Sequence, residues 1–375
     1  MTSSAKKGTL PVQTLRALAE KDVLRAPGGL EEKQLQPSSL DLRLGEKAYR
    51  IRSSFLPQKR RVHDMLAELM MYEVDLVENG ILEKKNVYLI PLKEELHLPE
   101  DINGKTNPKS TTGRLDIFTR VITDGGYRFD EIQRGYSGKL YLEVFPRSFT
   151  VRVKSGQSLN QLRLFRDREV IPDEQLLQLY QTYTLLYDDE HGPVPGPKAI
   201  IQDGLHMRVD LVGRNSGGII GYKAKKNSSI IDLSRIGAYA ASDYWEPIYA
   251  PKERFLILEP EEFYIFASRE RVRVPVDYAA EMVEFDAGSG ELRTHYAGFF
   301  DSGFGYGRGE VQGTHSVLEV RPHDVPFRIE DGQVFFKIRY ERMAELPLLS
   351  YGKEIGSHYY SQGLALSKHF VNDLC

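Results

Sequence analysis

Cysteine is nearly missing from these 375 residues: Cys375, the last of them, is the only one. That excludes internal disulfides and a thiolate cage for a metal, and it predicts a reducing, cytoplasmic compartment. Long apolar runs are absent as well. No window approaches 18 uninterrupted apolar residues, and the opening MTSSAKKGTLPVQTLRALAEKDVL has no extended apolar core. The sequence therefore predicts neither a membrane span nor a secretory signal. No charge sign dominates, since 50 lysines and arginines face 53 aspartates and glutamates. A nucleic acid finds no global field to attract it. Several catalytic signatures are lacking too. There is no GxxxxGK[ST] loop, no Gly-x-Ser-x-Gly elbow, and no HxH or HExxH pair among the nine histidines. A zinc nucleobase deaminase needs an HxE plus PCxxC arrangement, which one terminal cysteine cannot supply. Chemistry here is expected to be carboxylate-driven and zinc-free, with no metal held by protein side chains.

What is present is enough for two domains, with 41% hydrophobic residues to build their cores. Residues 11–25 carry the apolar spacing of an amphipathic helix, and Leu40, Leu42 and Leu44 alternate with Asp41 and Arg43 as in a half-buried strand. Short strand-like segments follow to about Phe165, interrupted by a helical insertion at 62–71. Residues 173–189 again read as a helix, and after a breaker-rich linker many short strands run to about Tyr340. The order of helix, loop and many strands thus occurs twice. LDLRL at 40–44 is matched by LHMRV at 205–209, and LEV at 142–144 by LEV at 318–320. Ser110-x-x-x-Arg114 is matched by Ser289-x-x-x-Arg293. With KSGQ at 154–157 matched by EDGQ at 330–333, four matches in one order predict an internal duplication. The fold class expected is mainly β, as two tandem barrels each preceded by a short helix. The expected divisions are 1–168, 169–345 and a tail at 346–375.

The segment from Asn107 to Val144 holds the strongest candidates. Lys109, Ser110, Thr111, Thr112, Gly113 and Arg114 bring cations, hydroxyls and a glycine to one turn, as an anion such as phosphate requires. The same residues equally describe a solvated polar turn. In LYLEVF, Glu143 shares a strand face with Tyr141 and Phe145. It is either on the wet side of a strand or a partly desolvated carboxylate whose raised pKa suits proton shuttling. The tail at 350–370 reads as a frayed end or as a lid that stacks and hydrogen-bonds over a ligand.

QPSSLDLRLG, then KSTTGRL, then GYSGKLYLEV resembles the dCTP deaminase branch of the dUTPase-like superfamily, and HYAGFFDSGFG at 295–305 resembles its middle motif. The resemblance implies two β-clip, jelly-roll-like barrels and hydrolytic deamination of dCTP to dUTP and ammonia. It implies Glu143 as general base and Ser110 and Arg114 as the groups that hold and polarise the site. Lys109, Thr111, Thr112 and Gly113 would hold phosphates, with Mg²⁺ carried on the triphosphate. Asp130 would contact deoxyribose, and Tyr141 would line the site. Tyr351, His358 and Gln362 would belong to the lid, and Ser289, Arg293, Asp301 and Glu319 would be the second-repeat equivalents. Family members are trimers with sites between subunits, which implies a homo-oligomer or a pseudo-symmetric assembly of repeats, with dTTP as an inhibitor. The favoured expectation is one competent site per chain, centred on Glu143. The alternatives are a dUTP diphosphatase, a bifunctional dCTP-to-dUMP enzyme, and a non-catalytic nucleotide-binding regulator.

Overall fold

The computed structural model describes residues 6–213, 216–284, 292–294, 298–352, 356, 359 and 362–374; for 284 and 292–294 it describes the backbone only. Two compact units divide the chain. The first is Met1–Arg168 with Asn227–Ile236 and Met343–Leu348; the second is Glu169–Lys226, Gly237–Arg342 and Leu349–Cys375. Both are mainly β, as the sequence predicts.

In the first unit, Pro11 precedes helix α1 (Val12–Glu20), where its missing N–H costs nothing, and Val12, Leu15 and Leu18 turn inward. Strands β1 (Leu40–Arg43) and β2 (Lys47–Ile51) follow, then helix α2 (Val62–Leu69), which runs directly into β3 (Met70–Asp75). Next come β4 (Tyr88–His97), β5 (Ile102–Pro108), the single turn α3 (Ser110–Gly113) and β6 (Ile117–Thr123). The set closes with β7 (Glu131–Ile132), β8 (Ser137–Pro146) and β9 (Ser158–Arg166). One sheet runs β3-β2-β4-β8-β6; in the other, β9 lies between β5 and β1, and β7 extends the β5 edge.

β1 departs from the half-buried strand expected of LDLRL: all four of its residues are buried. Its two charged side chains are buried because each is paired. Arg43 Nε donates to Glu94 Oε1 (2.8 Å) and its backbone N–H to Oε2 (2.7 Å), while Lys109 bonds Asp41. An unpaired charge at these positions would cost several kcal/mol.

The second unit repeats this plan. Helix α4 (Asp173–Tyr183) ends at Thr184, which is left-handed (φ 49°), rather than running on to 189. Leu186 and Tyr187 instead pair with a strand, so sheet contacts override the helical spacing there. Strands β10 (Leu205–Arg208), β11 (Ile219–Ala224), β12 (Trp245–Tyr249), β13 (Tyr264–Val272) and β14 (Tyr278–Glu284) follow. β15 (Leu292–Thr294), β16 (Phe299–Phe300), β17 (Thr314–Pro322) and β18 (Val334–Arg342) complete the set. Two details show the duplication at atomic level. Tyr88 and Tyr264 open equivalent strands, and each hydroxyl accepts a loop N–H, from Glu83 and Glu259 respectively (3.1 and 3.0 Å). The Arg43–Glu94 pair recurs as Arg208–Glu270, with the arginine N–H again donating to the second carboxylate oxygen (3.0 Å).

Candidate active site

β8 lies between β4 and β6, which fixes what Glu143 faces. Its Cα is opposite Leu89 on β4 and Arg120 on β6, and Tyr141 is opposite Pro91 and Ile122. Strand alternation puts Tyr141, Glu143 and Phe145 on one face with Phe118, Arg120 and Ile122. That face is covered. Ile51, Phe55, Val62, Leu66, Leu89, Ile122 and Tyr141 form one apolar cluster, with Met65, Leu69 and Phe129 packed against it. Helix α2 and the segment before it are therefore a roof on the sheet. A loop at 124–130 is stitched to that roof: Asp124 Oδ1 accepts the Val62 N–H (2.7 Å), and the Gly125 N–H donates to the Arg60 carbonyl (3.1 Å).

Under this cover Glu143 is 2% exposed. A lone carboxylate there would be heavily penalised, and Arg120 compensates. The guanidinium donates from Nε and Nη2 to the same oxygen, Oε1 (3.0 and 2.5 Å). Glu143 Oε2 is buried and has no hydrogen-bond partner among the described residues. Arg120 is held in turn: its guanidinium lies 3.6 Å from the Phe129 ring centroid and 4.9 Å from that of Phe118, and Nη2 also donates to Ser54 Oγ (2.9 Å). Tyr141 belongs to the apolar cluster rather than to an open wall.

The turn at 109–114 is built as a compact helical turn. Gly113 N–H donates to the Lys109 carbonyl and Arg114 N–H to that of Ser110, both at 3.0 Å, while Thr112 Oγ1 donates to the Leu159 carbonyl (2.8 Å). Ser110 is exposed and Thr111 half-buried, whereas Thr112, Gly113 and Arg114 are buried. Lys109 is engaged by the Asp41 carboxylate. Glu143's hydrogen bonds go to Arg120 and not to Ser110 or Arg114.

The sequence match between Asp130 and Asp301 is corrected by strand register. Thr106 and Met282 occupy equivalent positions, facing Leu162 and Ile338, which in turn face Leu40 and Leu205. Ile132 then pairs one residue before Lys105, at Gly104, and Phe300 likewise at Ala280, the residue before Glu281. Asp301 is thus equivalent to Gln133, not to Asp130. Asp130 is left-handed (φ 62°), and its Oδ1 accepts from Thr106 Oγ1 (2.7 Å) and the Val121 N–H (2.8 Å). Burial pushes its carboxyl up to about 6, against those two bonds and the Arg120 and Lys105 cations.

Register also corrects Arg293. Its Cα faces Arg321, and Phe118 faces Phe145 in the same way two residues beyond the glutamate, so Arg293 corresponds to Phe118 and not to Arg114. Glu319 does match Glu143: it is buried and faces Ile265, as Glu143 faces Leu89. Ser289 and His358 lie outside the described residues. In the tail, Tyr351 packs on Phe304 (5.3 Å) and Gln362 Nε2 donates to the His315 carbonyl (2.9 Å), both within the second unit. Sequence reasoning passed over Arg120, although an arginine among β-branched residues in IFTRVIT was a visible sign.

Among the described residues, the acidic and histidine group near enough to share an ion is Asp188, Glu190 and His191 in the second unit, and no helix is long and apolar enough to cross a membrane.

Comparison with known proteins agrees with this architecture. The family described as the 2′-deoxycytidine 5′-triphosphate deaminase N-terminal domain matches residues 6–168, and its C-terminal domain matches residues 172–370. A dUMP-forming dCTP deaminase of Parafrankia is 33% identical over 141 residues, covering 36% of this chain and 65% of that protein. One from Nanoarchaeum equitans is 30% identical over 172 residues, covering 41% of this chain and 81% of its own length. The crystal structure of 2′-deoxycytidine 5′-triphosphate deaminase from Agrobacterium tumefaciens superposes with a TM-score of 0.84 at 44% identity, over 90% of this chain and 99% of that one. With both repeats matched, the chain belongs to the dCTP deaminase family.

Proposed function

We propose that this family member hydrolyses the exocyclic amine of dCTP, giving dUTP and ammonia, with Glu143 as general base. The observation that carries the assignment is the Glu143 carboxylate, buried with one oxygen held and the other unpartnered. Oε2 would take a proton from water as the hydroxide adds to cytosine C4. The proton would pass to ring N3, and the C4 hydroxyl proton would then move through the carboxylate to the amine, which leaves as ammonia while C4 becomes a carbonyl. A water-poor, preorganised surrounding strengthens each of these contacts. Ser110, with the exposed hydroxyl of its turn, and Lys109 would meet the substrate's polar groups, Lys109 after releasing Asp41. Magnesium would arrive on the triphosphate, because the Glu143 carboxylate is already committed to a guanidinium and that of Asp41 to Lys109.

A second reading has an observation of its own. The Parafrankia and Nanoarchaeum relatives are named dUMP-forming, whereas the Agrobacterium relative, aligned over 90% of this chain, is named a deaminase. Supplying dCTP and Mg²⁺ to wild type, Glu143→Gln and Glu319→Gln, and measuring ammonia and diphosphate separately, resolves the two. Glu143→Gln is expected to lose at least ~100-fold in ammonia release. Unchanged activity in that variant overturns the assignment, loss only in Glu319→Gln moves the site to the second repeat, and stoichiometric diphosphate replaces dUTP by dUMP as product.

A further inference from the structure

Arg120 has a property that charge compensation alone does not require. Both of its donors go to one oxygen of Glu143, so the two carboxylate oxygens are chemically distinct before any substrate arrives. The guanidinium is also held on more than one side: by the cross-strand register, by the Phe129 ring beneath it, and by Ser54. Such a group has lost its freedom in advance, and the rotamer it imposes on Glu143 is correspondingly narrow. Arginine stays protonated throughout the working pH range, so it exchanges no proton itself.

We propose that Arg120 is a positioning residue for the reaction, which fixes Glu143 through Oε1 and reserves Oε2 as the oxygen that takes the proton. The proposal rests on Glu143 being the base. It is specific to the first repeat: the residue after Thr119 is Arg120, whereas the one after Thr294, which faces Val320 as Thr119 faces Val144, is a histidine. A lysine could supply the charge but not two in-plane donors and a flat face for Phe129.

The test compares wild type, Arg120→Met, Arg120→Lys, Phe129→Leu and Glu143→Gln, reading kcat and KM for ammonia release from dCTP beside the thermal midpoint of each. Mispositioning of the base acts on the chemical step. Arg120→Met is therefore expected to lower kcat about 100-fold with KM within about threefold, added guanidinium ion should restore part of kcat, and Arg120→Lys should fall between. Phe129→Leu keeps the charge and removes the stack; a kcat loss of about fivefold or more with KM unchanged is expected, and it stands as the deciding variant if Arg120→Met does not fold. The proposal is overturned if Glu143→Gln is inactive while these variants keep kcat within twofold, or if their loss lies in KM alone. Full activity in Glu143→Gln overturns the base assignment itself and is told apart by that variant.

Discussion

At the scale of single residues, burial decides which carboxylates are worth watching, and Asp130 is one whose consequence can be measured. Its folded-state value near 6 lies above the ordinary 3.8, so the folded state binds a proton more readily than the unfolded chain. The stability this proton contributes is fully present below about pH 4 and is lost as pH rises through 6. Asn at this position keeps the acceptor for Thr106 and Val121 and has no charge to bury. Asp130→Asn should therefore gain on wild type between pH 4.5 and 7.5, by on the order of 2 kcal/mol. Urea midpoints at those two pH values check it, and a pH-independent difference between the proteins would refute it. The residue scale is also where sequence reading is most uneven. Glu143 was visible because a charge interrupts an apolar strand. Its partner Arg120 stands out as a charge in IFTRVIT, but its pairing with Glu143 does not, because a cross-strand contact depends on register, and register is absent from any local pattern. The same cause paired Asp130 with Asp301 and Arg114 with Arg293: spacing along the chain suggested equivalences that the ladders of β7 and β15 do not support.

At the scale of elements, the helical insertion turns out to be the roof of the site. Its apolar spacing was legible and placed a helix at 62–71, and the structure has one at Val62–Leu69. What it packs on was not legible, since Leu66 meets residues of β4, β6 and β8 far away in sequence. Truncating Leu66, which is 7% exposed, leaves a void over the sheet. Leu66→Ala should destabilise the first unit by about 2–4 kcal/mol. It should also speed hydrogen exchange of the α2 amides and of Arg120 and Ile122 below them, while amides of β13 and β17 keep their protection. Equal acceleration in both units would mean that α2 is not a local cover but part of one cooperative core. The roof carries a functional consequence too. Glu143 is 2% exposed under this cover, so the proposed reaction with a pyrimidine requires α2 or the loop at 124–130 to give way. Faster opening in Leu66→Ala should therefore alter dCTP association before it alters the chemical step.

At the scale of the whole molecule, the duplication was readable but its stitching was not. Matching motifs survive in the same order in LDLRL and LEV, so two barrels followed from sequence. Yet each compact unit is assembled from separated segments. Ile231 and Asp232 pair in parallel with Val151 and Arg152 of the first unit. Residues 343–348 join it as well: the Ala344 N–H donates to the Thr9 carbonyl (2.9 Å), Gln13 Nε2 to that of Leu346 (2.7 Å) and Thr14 Oγ1 to Glu345 (2.8 Å). A polypeptide cut at residue 168 retains every strand around Glu143 but loses these partners, leaving the Val151–Val153 edge and the start of α1 uncovered. Each lost hydrogen bond is worth about 1 kcal/mol and the set is cooperative. The fragment 1–168 should therefore fold with a urea midpoint clearly below that of the first unit in the intact chain, followed through exchange-protected amides of β4 and β8. Were the midpoints equal, the segments 227–236 and 343–348 would be passengers on a self-sufficient first repeat. A lower midpoint, with the native exchange pattern of β8 retained, would show that fusion stabilises the repeat that carries Glu143 without being needed to shape it.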